Sequence, residues 1–134
     1  MHSINIEPSE IFQAMSDVTR IRIGRLLAQT GEEACLCELV DCLGEPQSNV
    51  SRHLKIMRQA GLLSVAKEGR WVYHRLMRDV PHLEPLYRML KALPDNHNQF
   101  ARDLTNFQNR LNLREDGRCR IGIQTLASEI ERAG

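Results

Sequence analysis

Nowhere does this chain approach the ~18 consecutive apolar residues that crossing a bilayer requires, and Met1 to Glu10 lack the basic-then-apolar pattern of a secretory signal. These absences predict a cytoplasmic protein with no membrane association. There is no glycine-rich phosphate loop, and none of Cys35, Cys37, Cys42 and Cys119 begins a Cys-x5-Arg phosphate cradle. A cysteine enzyme acting on an oxyanion, and a catalytic cofactor with it, are therefore not expected. Overall charge is also nearly missing, at +1. With 134 residues, 42% of them apolar, the chain is sized for one ordinary core.

The near-zero net charge conceals a segregation by sign. Residues 1–45 hold three Arg/Lys against eight Asp/Glu, residues 46–78 hold seven against one, and residues 79–134 hold eight against eight. The basic middle third is an electrostatic footprint suited to phosphates.

That middle third also has a legible architecture. Pro46 suits the start of a helix running to about Ala60, just before Gly61. Its apolar positions Val50, Leu54 and Met57 recur at helical spacing and mark one buried face. The opposite face carries Ser48, Ser51, Arg52 and Lys55, and with Gln47 and Asn49 these are the side-chain types that fork onto base edges or hold phosphates. Leu62–Ala66 and Trp71–Leu76 follow as β-forming runs joined by Lys67-Glu68-Gly69-Arg70, a hairpin with Arg70 near its tip and Arg75 on its return strand. Trp71 and Tyr73 are expected to anchor that strand to the core. Upstream, Thr19–Gln29 and Cys37–Leu43 read as two further helices. Three helices and a hairpin, the third helix basic on its outer face, make a mainly α protein with a small β-hairpin, a winged helix-turn-helix.

The motifs Ala14-Met15-Ser16-Asp17-Val18-Thr19-Arg20-Ile21-Arg22-Ile23, Cys35-Leu36-Cys37-Glu38-Leu39, Gln47-Ser48-Asn49-Val50-Ser51-Arg52-His53-Leu54, Ala60-Gly61-Leu62-Leu63 and Gly69-Arg70-Trp71-Val72-Tyr73-His74 carry a resemblance. Over Ile11 to Leu76 the chain resembles the ArsR/SmtB family of metal-responsive repressors. The resemblance implies a homodimer on roughly palindromic, double-stranded operator DNA, with two recognition helices in successive major grooves. It also implies that Cys35 and Cys37, entering the first helix of the helix-turn-helix, sense a soft ion of the arsenic, antimony, cadmium or lead kind. The effector expected is As(III) or Sb(III). Cadmium or lead sensing, thiol oxidation, persulfidation and an inert cysteine pair are the alternatives.

A helix start lowers the pKa of cysteines placed there. Residues i and i+2 point about 200° apart on a regular helix, so chelation by this pair is expected to require an unwound or distorted turn. The family's usual third cysteine would fall at Val40. Cys42 stands roughly 10 Å along a continuous helix from Cys35 and reads as a small buried residue. Cys119, in the turn-like Glu115-Asp116-Gly117-Arg118-Cys119-Arg120, is expected to be exposed, activated by its flanking arginines, and to serve as the third ligand. His53, beside the buried edge of its helix, reads as structural, and His74 similarly.

Leu83, Leu86, Tyr87, Leu90 and Leu93 form one helical stripe, and Phe100, Leu104, Phe107 and Leu111 a second. The first, with Ile11 and Phe12, fits the dimer face that the resemblance implies. The expected division is residues 1–94 for DNA binding and dimerisation, with residues 95–134 a helical extension carrying Cys119. Zinc-sensing relatives use Asp-x-His with His-x-x-Glu or His. Here Asp95-Asn96-His97 stands alone, and none of His2, His53, His74, His82 or His97 has Glu or His three residues on, so that site is not expected.

Overall fold

A computed structural model describes residues 7–125. His2 and residues 126–134 of the expected extension lie outside the described residues. Among the described residues no helix is long and apolar enough to cross a membrane.

Among the described residues the elements follow in the order α1 Pro8–Ala14, α2 Val18–Thr30, β1 Ala34–Cys35, α3 Leu36–Leu43, α4 Gln47–Gln59, β2 Leu63–Glu68, β3 Trp71–Leu76, α5 Glu84–Ala92 and α6 Gln99–Leu111. Local chemistry explains most boundaries. Asp17 caps α2 by accepting the Thr19 and Arg20 amides, and Gly31 ends it in the left-handed conformation at φ 69. Pro46 stands just outside α4 as its N-cap rather than inside its first turn. The helix-turn-helix is α3–α4 and the wing is β2–β3.

The expected two-stranded hairpin is in fact part of a three-stranded antiparallel sheet in the order β1-β3-β2. Two residues, Ala34 and Cys35, pair with His74 and Tyr73. A pairing this short leaves no alternation for periodicity to detect, yet it fixes Cys35 directly beside the wing.

Ile23, Leu26, Leu27, Leu39, Val50, Leu54, Met57 and Phe107 are buried in one core between the helices and the root of the sheet. Helices α2 and α5 approach closely at Gly24, where a Cβ would sit 3.1 Å from Leu90 Cδ1 and 3.3 Å from the Met15 methyl. Helix α6 is tied to α2 and to α3 by one buried pair each. Asp103 takes Arg22 Nε and Nη2 at 2.9 and 2.8 Å, and Asp41 takes Arg110 Nε at 2.6 Å. Arg22 Nη2 also reaches the Leu43 carbonyl, closing the end of α3.

His53 and His74 are both buried, as expected of structural histidines. Arg20 Nη1 lies 2.9 Å from His53 Nδ1, and Arg58 Nη1 lies 3.1 Å from His74 Nε2. Burial, reinforced by the Arg58 charge, holds the His74 pKa down at about 4. The unfolded chain therefore binds an extra proton between its ordinary value of 6.5 and about 4, and stability falls as pH drops through that window. Relative to His74→Gln, the native protein is expected to lose about 2–3 kcal/mol more between pH 7 and pH 4. Urea midpoints measured across that range check it; parallel pH profiles for the two proteins would refute it.

Candidate metal centre and nucleic-acid face

Three chain segments converge at the start of α3. Cys35 is its N-cap, extended at φ −79 and ψ 157, while Cys37 lies in the first turn. Because the backbone changes conformation between them, the two thiols need not diverge as i and i+2 would within a helix. The thiols already approach one another with α3 intact, because Cys35 precedes the helix.

The third segment runs from the end of α6 to Thr125 and forms a strap. At Glu115-Asp116-Gly117-Arg118 the chain reverses through two left-handed residues, Asp116 at φ 54 and Gly117 at φ 74, with Glu115 and Arg118 exchanging backbone hydrogen bonds. Asp-Gly is the pair this type of turn favours. The reversal aims Cys119 inward. Its amide donates to Tyr73 Oη at 2.8 Å, and its Sγ lies 3.6 Å from Cys37 Sγ. The Sγ atoms of Cys35, Cys37 and Cys119 all lie within 4.8 Å of one another.

Cys119 was expected to be exposed; it is 0% exposed. The segment is polar in sequence because its arginines face outward onto partners, not because the cysteine does. Arg118 covers the Tyr73 ring at 4.0 Å and pairs with Glu33 and Glu68. Arg120 turns to the Cys119 carbonyl. Neither arginine activates the thiol as expected, and burial pushes Cys119 up to about 11. The lowered pKa belongs to Cys37, which receives a hydrogen bond from Cys35, then one from Cys119, and feels the Arg110 charge. Cys35 is raised because it donates to Cys37 and is desolvated. Within the triad, Cys37 is the thiol whose surroundings favour the thiolate.

Buried charges set the frame. Glu38, 0% exposed, accepts the Cys35 amide at 2.9 Å and Arg114 Nε and Nη2 at 2.7 and 2.8 Å. Arg110 Nη2 takes the Ile121 and Gly122 carbonyls at 2.7 and 3.0 Å, and Asp41 accepts the Gln124 and Thr125 amides. None of Glu38, Asp41, Tyr73, Arg110 and Arg114 was singled out as part of the site from sequence. The available local signal was Cys35-x-x-Glu38, a capping box with cysteine in the place of serine. Cys42 turns away, its Sγ 3.1 Å from the Asp103 carbonyl, and burial raises it to about 12. It is the small buried residue expected.

On the basic side, Gln47, Ser48, Ser51, Arg52 and Lys55 are exposed on α4 and Asn49 is half-buried. Val50, Leu54 and Met57 are buried beneath them. Arg70 is exposed at the wing tip, its guanidinium 4.5 Å from the Trp71 ring. Trp71 is half-buried, so Tyr73 is the aromatic that fully anchors the wing.

The family described as "Bacterial regulatory protein, arsR family" matches residues 17–65. The arsenic resistance transcriptional regulator ArsR2 of Pseudomonas putida is 37% identical over 98 residues, 73% of this chain and 83% of the relative. The arsenical resistance operon repressor of Escherichia coli is 40% identical over 74 residues, 55% of this chain and 62% of the relative. Among solved structures, the homodimeric winged helix-turn-helix DNA-binding domain from Mycobacterium bovis, described as a possible ArsR-family regulator, superposes with a TM-score of 0.54. It is 22% identical, covers 66% of this chain and 79% of its own, and corroborates the fold. With its helix-turn-helix, its wing and these relatives, the chain belongs to the ArsR family of DNA-binding transcriptional regulators, which are not enzymes.

Proposed function

We propose that this chain is a homodimeric repressor that holds operator DNA and releases it when As(III) or Sb(III) is bound by Cys35, Cys37 and Cys119. The observation that carries this reading is the convergence of three Sγ atoms within 4.8 Å of one another, from β1, α3 and the strap. A trivalent metalloid is matched in number and softness by three thiolates, and the neutral product suits a buried site better than a charged one. P. putida and E. coli relatives named for arsenic resistance support the same effector.

Gln47, Ser48, Asn49, Ser51, Arg52 and Lys55 would read and grip the major groove, with Arg70 on the adjacent backbone or minor groove. Phe12 and Met89 stand 70% and 63% exposed on an apolar face shared by α1 and α5. That face would form the dimer. The residue 1–94 module would then bind DNA and pair with its copy while residues 95–134 complete the sensor. The signal has a short route, because Arg118, next to Cys119, pairs with Glu68 at the end of β2. Drawing Cys119 into a ligand sphere pulls on the wing, and release follows from the difference in ligand affinity between the two states.

Arsenite titration of the reduced protein on its own promoter DNA tests this. Wild type is expected to release at about one arsenite per subunit. Cys35→Ser and Cys37→Ser should abolish release, and Cys119→Ser should raise the arsenite needed by about tenfold or more. Unliganded DNA affinity should stay within about threefold in all three. No release by wild type would overturn the metalloid reading in favour of thiol oxidation or another soft ion. Full response by Cys119→Ser would remove the third ligand.

A further inference from the structure

Arg20, Arg22 and Arg25 of α2 each hold the last carbonyls of a different helix. Arg22 Nη2 reaches Leu43 at the end of α3. Arg25 Nη1 takes the Leu90 and Leu93 carbonyls, at 3.3 and 2.7 Å, where α5 stops. Arg20 closes α1: its Nε donates to the Ala14 carbonyl at 2.6 Å and its Nη2 to that of Gln13 at 3.4 Å. A guanidinium suits these places because the last turn of a helix leaves carbonyls without partners. Among the described residues, Arg20 is the one of the three that also bonds the recognition helix, with Nη1 2.9 Å from His53 Nδ1.

A guanidinium has only donors, so Nδ1 is the acceptor and the ring proton sits on Nε2. His53 is therefore neutral when this bond is made. Burial lowers its pKa; of the charges facing it, Asp17 and Glu45 act in the opposite direction and Arg52 and Arg20 in the same one. His53 is buried and lies two positions from both Ser51 and Lys55, about 200° round α4 from each. It thus faces the protein while they face outward. Helix α1, at the other end of the tie, has seven residues, of which only Ala14 is buried. It presents Phe12 on the apolar face shared with α5.

We infer that Arg20 is a positioning residue for operator recognition: by joining the end of α1 to His53 of α4, it fixes each recognition helix relative to the dimer face. The inference rests on the reading of α1 and α5 as that face. Two half-sites are read together only when the two α4 helices stand at the separation and angle set by the groove repeat. Non-operator DNA, held through its phosphates, makes a weaker geometric demand. Arg20 itself touches no DNA, because Nε, Nη1 and Nη2 are all directed at α1 and His53.

The test compares full-length, reduced Arg20→Met, His53→Leu, His53→Asn and the Arg20→Met/His53→Leu double variant with wild type, without metalloid. Urea unfolding and sedimentation first establish which are folded and dimeric. Arg20→Met and His53→Leu are each expected to weaken binding to the protein's own promoter DNA about tenfold, and to leave a non-operator duplex of equal length within about twofold. The double variant should lie within about twofold of either single one, because all three remove the same bond. His53→Asn places an oxygen acceptor near the Nδ1 position and should stay within about threefold of wild type. Promoter affinity within about twofold of wild type in a folded, dimeric Arg20→Met or His53→Leu would overturn the inference. So would losses that add in the double variant. An equal loss on non-operator DNA, with a salt slope reduced by about one, would overturn it by making Arg20 a phosphate contact. If Arg20→Met does not fold, His53→Leu, an apolar side chain in a buried place, still decides. A wild type that sediments as a monomer would overturn the dimer reading and this inference with it; the other adverse outcomes leave that reading standing.

Discussion

Replacing Glu38 by alanine is expected to cost about 3–5 kcal/mol of folding stability and to abolish metalloid binding at micromolar ligand. The carboxylate is fully buried and holds three hydrogens: two from the Arg114 guanidinium and one from the Cys35 amide. Its removal strands a buried cation, which is the costly way to break an ion pair. It also uncaps α3 at the residue that supplies the first thiol. Urea unfolding should show a lowered midpoint with unchanged slope. Glu38→Gln keeps an acceptor for Cys35 and should restore part of the ligand affinity but less of the stability, because Arg114 is left with only the longer, more exposed contact to Glu32 at 3.5 Å. A Glu38→Ala protein as stable as wild type would mean that the Arg114 pair contributes nothing to the attachment of the strap.

Asp103→Ala should destabilise by a similar amount, about 3–5 kcal/mol, for a related reason. Arg22 is held by two bonds to Asp103 and one to the Leu43 carbonyl, and its side chain is 9% exposed. Without Asp103 the largely buried charge keeps only Glu45, at 3.8 Å, as a carboxylate partner among the described residues. Arg22→Met combined with Asp103→Leu removes both charges and is expected to recover most of the loss, since a well-packed apolar replacement of a buried pair is often neutral or better. Asp103 faces the far side of α3 from the thiols, beside Cys42. Arsenite affinity of the folded Asp103→Ala protein should therefore stay within about threefold of wild type, unlike that of Glu38→Ala. A double variant as unstable as the single one would show that the pair contributes more than charge neutrality. Isothermal binding at low temperature, together with unfolding curves, separates the two effects.

The two variants also mark the division between what was legible along the chain and what was not. Val50, Leu54 and Met57 at helical spacing identified the buried face of α4, and so the exposed residues opposite. Gly69-Arg70 between β2 and β3 was equally readable, because a turn acts through geometry within a few residues. Cys35 and Cys37 could be paired by proximity. The sequence also offered Cys119 as the third candidate, but for a mistaken reason. Its arginine neighbours suggested an exposed, activated thiol, whereas Arg118 is turned outward over Tyr73 and the sulfur is buried.

By itself, then, the sequence determined the helix-turn-helix, the wing, the segregated positive charge and the soft-donor composition of the sensor, all properties of local spacing and residue type. Only the tertiary structure decided that the Cys37 and Cys119 sulfurs meet across 82 positions of sequence. It also decided that β1 pins Cys35 beside Tyr73 and that Cys35 and Cys37 border a cleft between α4 and the wing. The physical reason is range. Helical and strand periodicities describe neighbours on one element, whereas the strap is held by Arg110, Arg114 and Arg118 choosing among many carboxylates. Arg110 and Arg114 make that choice with carboxylates buried in the fold, and Arg118 makes it nearer the surface.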